Sequence, residues 1–158
     1  MFTFGERQDR EIVATPDEVT ITSKAEPNKT VKFTVNRWAH FTAILPAIDD
    51  EAKELNRKTR TVAYRIHIGD GYYVSVNHEI MCVDIRQFFV PYVLQPSDVK
   101  PTKSGIAFRL DEWVELLNLV PLIHQMIPSL ARAKPCCDEH LGQLDWRDCR
   151  SCHPFESY

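Results

Sequence analysis

The sequence predicts an α+β fold of two tandem ββββα units, each an antiparallel sheet with a C-terminal helix, packed as an intrachain pseudo-dimer and followed by a small Cys/His-rich tail. Three observations carry this expectation. A turn, an apolar strand, a tryptophan and an apolar helix reaching a proline are written twice, first around EPNKTVKFTVNRW (Glu26 to Trp38) and again around KPTKSGIAFRLDEW (Lys100 to Trp113). The segments before each tryptophan alternate apolar and polar residues, the period of half-buried strands. Four of the five cysteines crowd the last 23 residues, apart from either copy.

The two copies align closely around their tryptophans. Pro27 and Lys29 fall on Pro101 and Lys103 and, after one extra residue at Gly105, Phe33 falls on Phe108, Val35 on Leu110, Trp38 on Trp113 and Pro46 on Pro121. Further back, Glu11 to Thr22 lies against Tyr72 to Val83, and Phe4-Gly5 against Ile68-Gly69. In the second copy YRIHIG and YYVSV flank Asp70-Gly71, a hairpin signal, EIMCVDIRQFF continues as a strand, and the polar loop QPSDVKPTKS leads into GIAFRL. Short connections of this kind produce antiparallel neighbours.

A helix is expected from Asp111, capping its free amides, with Trp113, Leu116, Leu117 and Val120 on one stripe; Asn36 is the corresponding cap before Trp38, Phe41 and Leu45. Pro46 and Pro121 are expected to kink or restart the helices. One sheet and one helix make a thin core, so two copies are expected to pack helix to helix and sheet to sheet within the chain rather than as an obligate homodimer. The boundaries are 1–56 for the first copy, 57–62 for a basic linker, 63–130 for the second copy and 131–158 for the tail.

Composition excludes several classes. No apolar run approaches the roughly 18 to 20 residues of a membrane span, and MFTFGERQDRE carries charges where a signal peptide is apolar, so an intracellular protein without membrane contact is expected. A formal charge of -3 leaves nucleic-acid binding only to a local basic patch. The five glycines are scattered, with no phosphate-cradling loop, and DDEAKE at Asp49 to Glu54 reads as a solvated face, so no catalytic set is expected and the chain is not read as an enzyme.

The second copy, from about Tyr64 to Leu130, resembles the C-terminal single-stranded DNA-binding domain of the transcriptional coactivator positive cofactor four. The resemblance lies in YVSV after a glycine turn, in DIR followed by aromatics, and in the lysine turn closed by Gly105 and Trp113. The first copy is similar in a diverged form. This resemblance implies a nuclear transcription cofactor that binds single-stranded DNA across paired sheets, with transcription-machinery proteins as further partners. It selects Tyr73, Arg86, Lys100, Lys103 and Trp113 in the second copy, and Lys29 and Trp38 in the first. Cations of this kind neutralise phosphates and aromatic faces stack on bases without reading sequence.

The same residues have plainer readings. Trp38 and Trp113 lie on core stripes, Arg86 shares a strand face with Asp84 and can pair with it, and Cys82 fits as a small buried hydrophobe. Where the family places basic residues this chain has Asp70, Gly71, Tyr72 and Asn77, and residues 64–130 hold five Lys and Arg against seven Asp and Glu. A protein-interaction scaffold that keeps the fold without the DNA face is therefore the alternative. In the tail, Cys137-x2-His140 and Cys149-x2-Cys152 offer four soft donors in two close pairs, as a tetrahedral structural zinc requires, with Cys136 or His153 able to substitute. An unliganded tail or disulfides are the competing readings.

Overall fold

The computed structural model describes residues 1–57, 64–91 and 99–155. The linker expected at 57–62 thus lies outside the described residues apart from Arg57, as do most of the loop expected before Lys100 and the last three residues of the tail. Two four-stranded antiparallel sheets each lead into a helix, roughly as two ββββα units. The first sheet contains β1 (Phe2–Phe4), β2 (Arg10–Ala14), β3 (Glu18–Ser23) and β4 (Thr30–Thr34), followed by α1 (Val35–Lys53). The second contains β5 (Tyr64–Gly69), β6 (Tyr72–Asn77), β7 (Cys82–Phe89) and β8 (Lys100–Arg109), followed by α2 (Leu110–Met126). Neighbours in sequence are neighbours in each sheet.

Alternation decides which side of each strand is buried. Ile12 pairs with Ile21 and Val19 with Phe33 on the inner face of the first sheet, and Val74 with Ile85 and Val83 with Phe108 on that of the second. The hairpin at Asp70-Gly71 forms as expected, both residues having positive φ (57° and 82°), the conformation this tight turn needs.

Helix starts differ from expectation. Thr34, not Asn36, caps α1, its hydroxyl accepting the Arg37 amide at 3.2 Å. Asn36 is left inside the first turn with its side chain available. At α2 the N-cap is Arg109, two residues before Asp111, and its amide is accepted by the Glu112 carboxylate at 3.0 Å. Nor do Pro46 and Pro121 end their helices, which run on through both. Both prolines are exposed, so water can serve the carbonyl left without a donor.

The expected lysine turn is also displaced, because Lys100, Pro101 and Lys103 already belong to β8. This is an edge strand, where a proline's missing donor is tolerated. Among the described residues no helix is long and apolar enough to cross a membrane.

One apolar cluster spans both units. Phe41 meets Trp113 edge to face with ring centroids 6.1 Å apart, Phe4 stacks on Phe108 at 6.0 Å, and the Trp38 indole N–H donates to His124 Nε2 at 3.0 Å. Edges β4 and β8 approach one another. Ion pairs cross between the units as well, among them Arg37 Nη1 to Asp70 Oδ2 at 2.8 Å, Arg109 Nη1 to Glu6 Oε2 at 3.2 Å and Arg10 Nε to Glu112 Oε2 at 3.4 Å.

Candidate metal centre and sheet face

After α2 the chain forms a short helix α3 (Pro128–Arg132), a 3-10 turn at Cys136–Asp138 and a second short helix α4 (Gln143–Asp148). The 3-10 turn closes through Glu139 N–H to the Cys136 carbonyl at 3.0 Å, which carries His140 back over Cys136. Cys149 donates its amide to the Trp146 carbonyl at 3.2 Å and accepts the His153 amide at 2.9 Å, a turn that brings Cys149 and Cys152 together. The result is a cluster of Cys136, His140, Cys149 and Cys152 with one donor atom from each, all within 4.8 Å of one another, close enough to hold a metal ion.

The ligand expected at Cys137 is therefore corrected to Cys136. Successive residues of a 3-10 turn diverge by about 120°, so only one of two adjacent cysteines can face the cluster. Cys136 is held inward by its amide, which donates to Asn36 Oδ1 at 2.7 Å. Cys137 is exposed instead, with its sulfur 3.8 Å from His40 Nδ1 and 3.8 Å from Asp138 Oδ1. His153 lies against Trp146, ring centroids 4.2 Å apart, outside the donor set.

Separations within the cluster are 3.8 Å for Cys136 to Cys149, 3.5 Å for Cys136 to Cys152 and 3.4 Å for His140 Nε2 to Cys152. Zinc bonded tetrahedrally to sulfur at about 2.3 Å and nitrogen at about 2.0 to 2.1 Å sets donor-to-donor edges of about 3.8 Å and 3.5 Å. Burial and the neighbouring Cys136 and Cys149 thiols push the Cys152 thiol up. At Cys149 burial acts upward too, but the Cys152 backbone and the Cys136 and Cys152 side chains outweigh it and leave that thiol below its ordinary value.

The outer face of the second sheet is the other candidate. A groove of about 720 Å³ opens there, lined by Arg65, Ser75, Asp84, Arg86 and Phe88 among others. Tyr73 is half-buried between His67 and Phe88, both 5.0 Å away by ring centroid, and Arg65 lies over the rings of Tyr73 (5.1 Å) and Phe88 (5.0 Å). Burial raises the Tyr73 hydroxyl pKa, with Arg65 opposing it. Lys100 and Lys103 are exposed on β8 beside this face.

Other expected contact residues fare differently. Arg86 is engaged by Asp84 through Nε (3.0 Å) and Nη2 (3.1 Å), and its Nη1 donates to the Thr102 carbonyl at 2.8 Å. Trp38 and Trp113 are completely buried, so the base-stacking role is corrected for both: neither ring has a face open to a base. Lys29 sits in the Glu26–Lys29 turn and pairs with Glu26 at 2.9 Å. Cys82 is buried, which with Asp84 nearby pushes its thiol up to about 11, consistent with an unreactive hydrophobe.

Arg65 and Phe88 were not among the expected contacts. The signal for Phe88 was available, because it is two residues beyond Arg86 on one strand and so shares its face. The first sheet has no equivalent: its outward positions hold Thr3, Glu11, Val13, Glu18, Lys32 and further threonines, without an aromatic ring. Comparison with known protein families, with curated proteins and with solved structures finds no match to the chain.

Proposed function

We propose that this chain is a single-stranded DNA-binding transcription cofactor of the nucleus whose two units pair as an intrachain pseudo-dimer, with structural zinc in the tail. The observation that carries the binding reading is the second sheet's outer face, where the exposed Arg65 guanidinium lies over the half-buried Tyr73 and the buried Phe88 beside an open groove, with Lys100 and Lys103 alongside. A guanidinium plane braced on aromatic rings can stack on any base, and the cations neutralise phosphate and release counterions, giving binding that tolerates sequence and weakens with salt. The resemblance to the coactivator domain points to the same ligand. With no aromatic face on the first sheet, the strand is held chiefly by the second unit. Three thiols and an imidazole within 4.8 Å of one another, three of their separations close to tetrahedral edges, favour zinc among the common metals.

Titration of an unstructured oligonucleotide at several salt concentrations tests the reading. Binding should weaken with salt, and Lys100→Glu with Lys103→Glu should lower affinity and flatten the salt slope by about two phosphate contacts. Affinity unaltered by the double change would exclude those lysines. No binding at low salt would favour a protein-interaction scaffold, which the neutralisation of Arg86 by Asp84 also favours.

A further inference from the structure

The repeat alignment places Gly69 on Gly5 and His40 on Glu115, so the two ends of the boundary between the units can be compared position by position. At one end the Gly5 amide donates directly to the Glu115 carboxylate, joining the first unit's turn to the second unit's helix. At the other end His40 stands where that carboxylate would be, and it faces the tail. Its Nε2 is 3.6 Å from the Cys136 sulfur and its Nδ1 3.8 Å from that of Cys137.

Three hydrogen bonds run through the tail where the direct one has gone. Asn36 of α1 accepts the Cys136 amide (2.7 Å) and donates to the Ser151 hydroxyl (2.8 Å), while the Ser151 carbonyl accepts the Asp70 amide of the β5–β6 hairpin (2.8 Å). The hairpin is shaped to receive it. A Cβ on Gly69 would lie 3.0 Å from Ser151 Oγ, and one on Gly71 would lie 2.9 Å from Phe155 Cζ.

We propose that the Cys/His tail is a metal-dependent clasp between the two units, with Asn36 and His40 of the first unit acting as positioning residues for the metal centre. The inference rests on the zinc reading above. Cys136 is a ligand and Ser151 precedes another, so the ion fixes the spacing between the two points at which Asn36 grips the tail. Between His140 and Cys149 the tail buries little apolar surface: α4 has six residues, too few to persist alone, and Leu141 and Leu144 are 97% and 72% exposed. His40, with a proton on Nε2, donates to the Cys136 thiolate, the kind of outer partner that orients a ligand and raises metal affinity.

The test uses the full reduced chain, with zinc affinity measured by competition against a chromophoric chelator and amide exchange followed by NMR with and without zinc. Asn36→Ala and His40→Ala should each weaken zinc by about 10- to 100-fold, and His40→Gln, which keeps an N–H donor, should recover most of the loss. Zinc removal should release the Asp70 amide and leave the Gly5 amide protected. Asn36 lies within α1, where alanine is well tolerated, so melting in chelator at the wild-type temperature verifies that the variant folds. Wild-type zinc affinity in both alanine variants, with Asp70 protected in the absence of zinc, overturns the clasp and leaves the zinc reading standing. A wild-type chain that binds no zinc overturns the zinc reading itself and the clasp with it.

Discussion

Two adjacent cysteines separate a metal centre built by this fold from one read off residue spacing, and replacing each by serine distinguishes them. Cys136 lies 3.8 Å and 3.5 Å from the other two thiols, whereas Cys137 points to His40 and Asp138. An ion that binds only the folded chain stabilises it by about 4.1 kcal/mol when present at 1,000 times its dissociation constant. For a domain of this size each kcal/mol shifts the melting temperature by about 2 to 4 °C, so zinc should raise it by roughly 8 to 16 °C. Cys136→Ser removes one of four donors and should abolish most of that shift together with the bound equivalent of zinc. Cys137→Ser should retain both. Melting with and without zinc, alongside metal analysis under reducing conditions, reads the two variants. Retention of zinc by Cys136→Ser and its loss from Cys137→Ser would falsify the assignment of the turn.

Three further outcomes follow from packing and burial. Trp113→Ala should cost about 3 to 5 kcal/mol in urea unfolding while leaving oligonucleotide affinity per folded molecule unchanged; lost affinity at full stability would return the indole to the binding face. Gly105→Ala would put a Cβ 2.7 Å from Arg86 Cβ and 2.7 Å from the Ile85 carbonyl, so a loss of about 1 to 3 kcal/mol is expected, and an unchanged urea midpoint would contradict the packing. Burial, with His40 adding to it, holds the His67 imidazole down to about 4, and its Nε2 accepts the Gly71 amide at 3.1 Å. Because the folded value is depressed, its contribution is complete above about pH 6.5, shrinks below that and is gone beneath about pH 4. Linkage bounds it at about 3 kcal/mol, or roughly half after screening of the partly exposed ring. Unfolding of wild type and His67→Gln in chelator between pH 4 and 7 measures it; parallel pH profiles would remove His67 as the cause.

The architecture was legible where it depends on period and position along the chain. Alternation located the strands, Asp70-Gly71 marked a turn that needs positive φ, and the helical stripes already offered Trp38 and Trp113 as core. What escaped depends on distant parts of the chain meeting. Asn36 looked like a cap because amides at a helix start need acceptors, yet Thr34 fills that role and Asn36 binds a segment one hundred residues away. Cys137 looked like a ligand because pair spacing suggests an extended knuckle, whereas a 3-10 turn selects its neighbour. Arg65 joins Tyr73 and Phe88 only through the register of three strands.

Two similar units in one chain are free of a constraint that a symmetric pair imposes, namely that both partners carry the same residue at equivalent positions. Here the equivalent helix positions carry opposite charges, Arg37 in the first unit and Glu112 in the second, and each finds its partner in the other unit: Arg37 pairs with Asp70 of the β5–β6 hairpin and Glu112 with Arg10 at the start of β2. Arg37 and Glu112 are buried, where an ion deprived of its partner is expensive, so each unit's boundary is fitted to the other. The same freedom lets aromatic and basic residues gather on the second sheet alone while His40 replaces a carboxylate at one end only. The units differ accordingly: the first, with no outward aromatic ring on its sheet, holds the tail through Asn36.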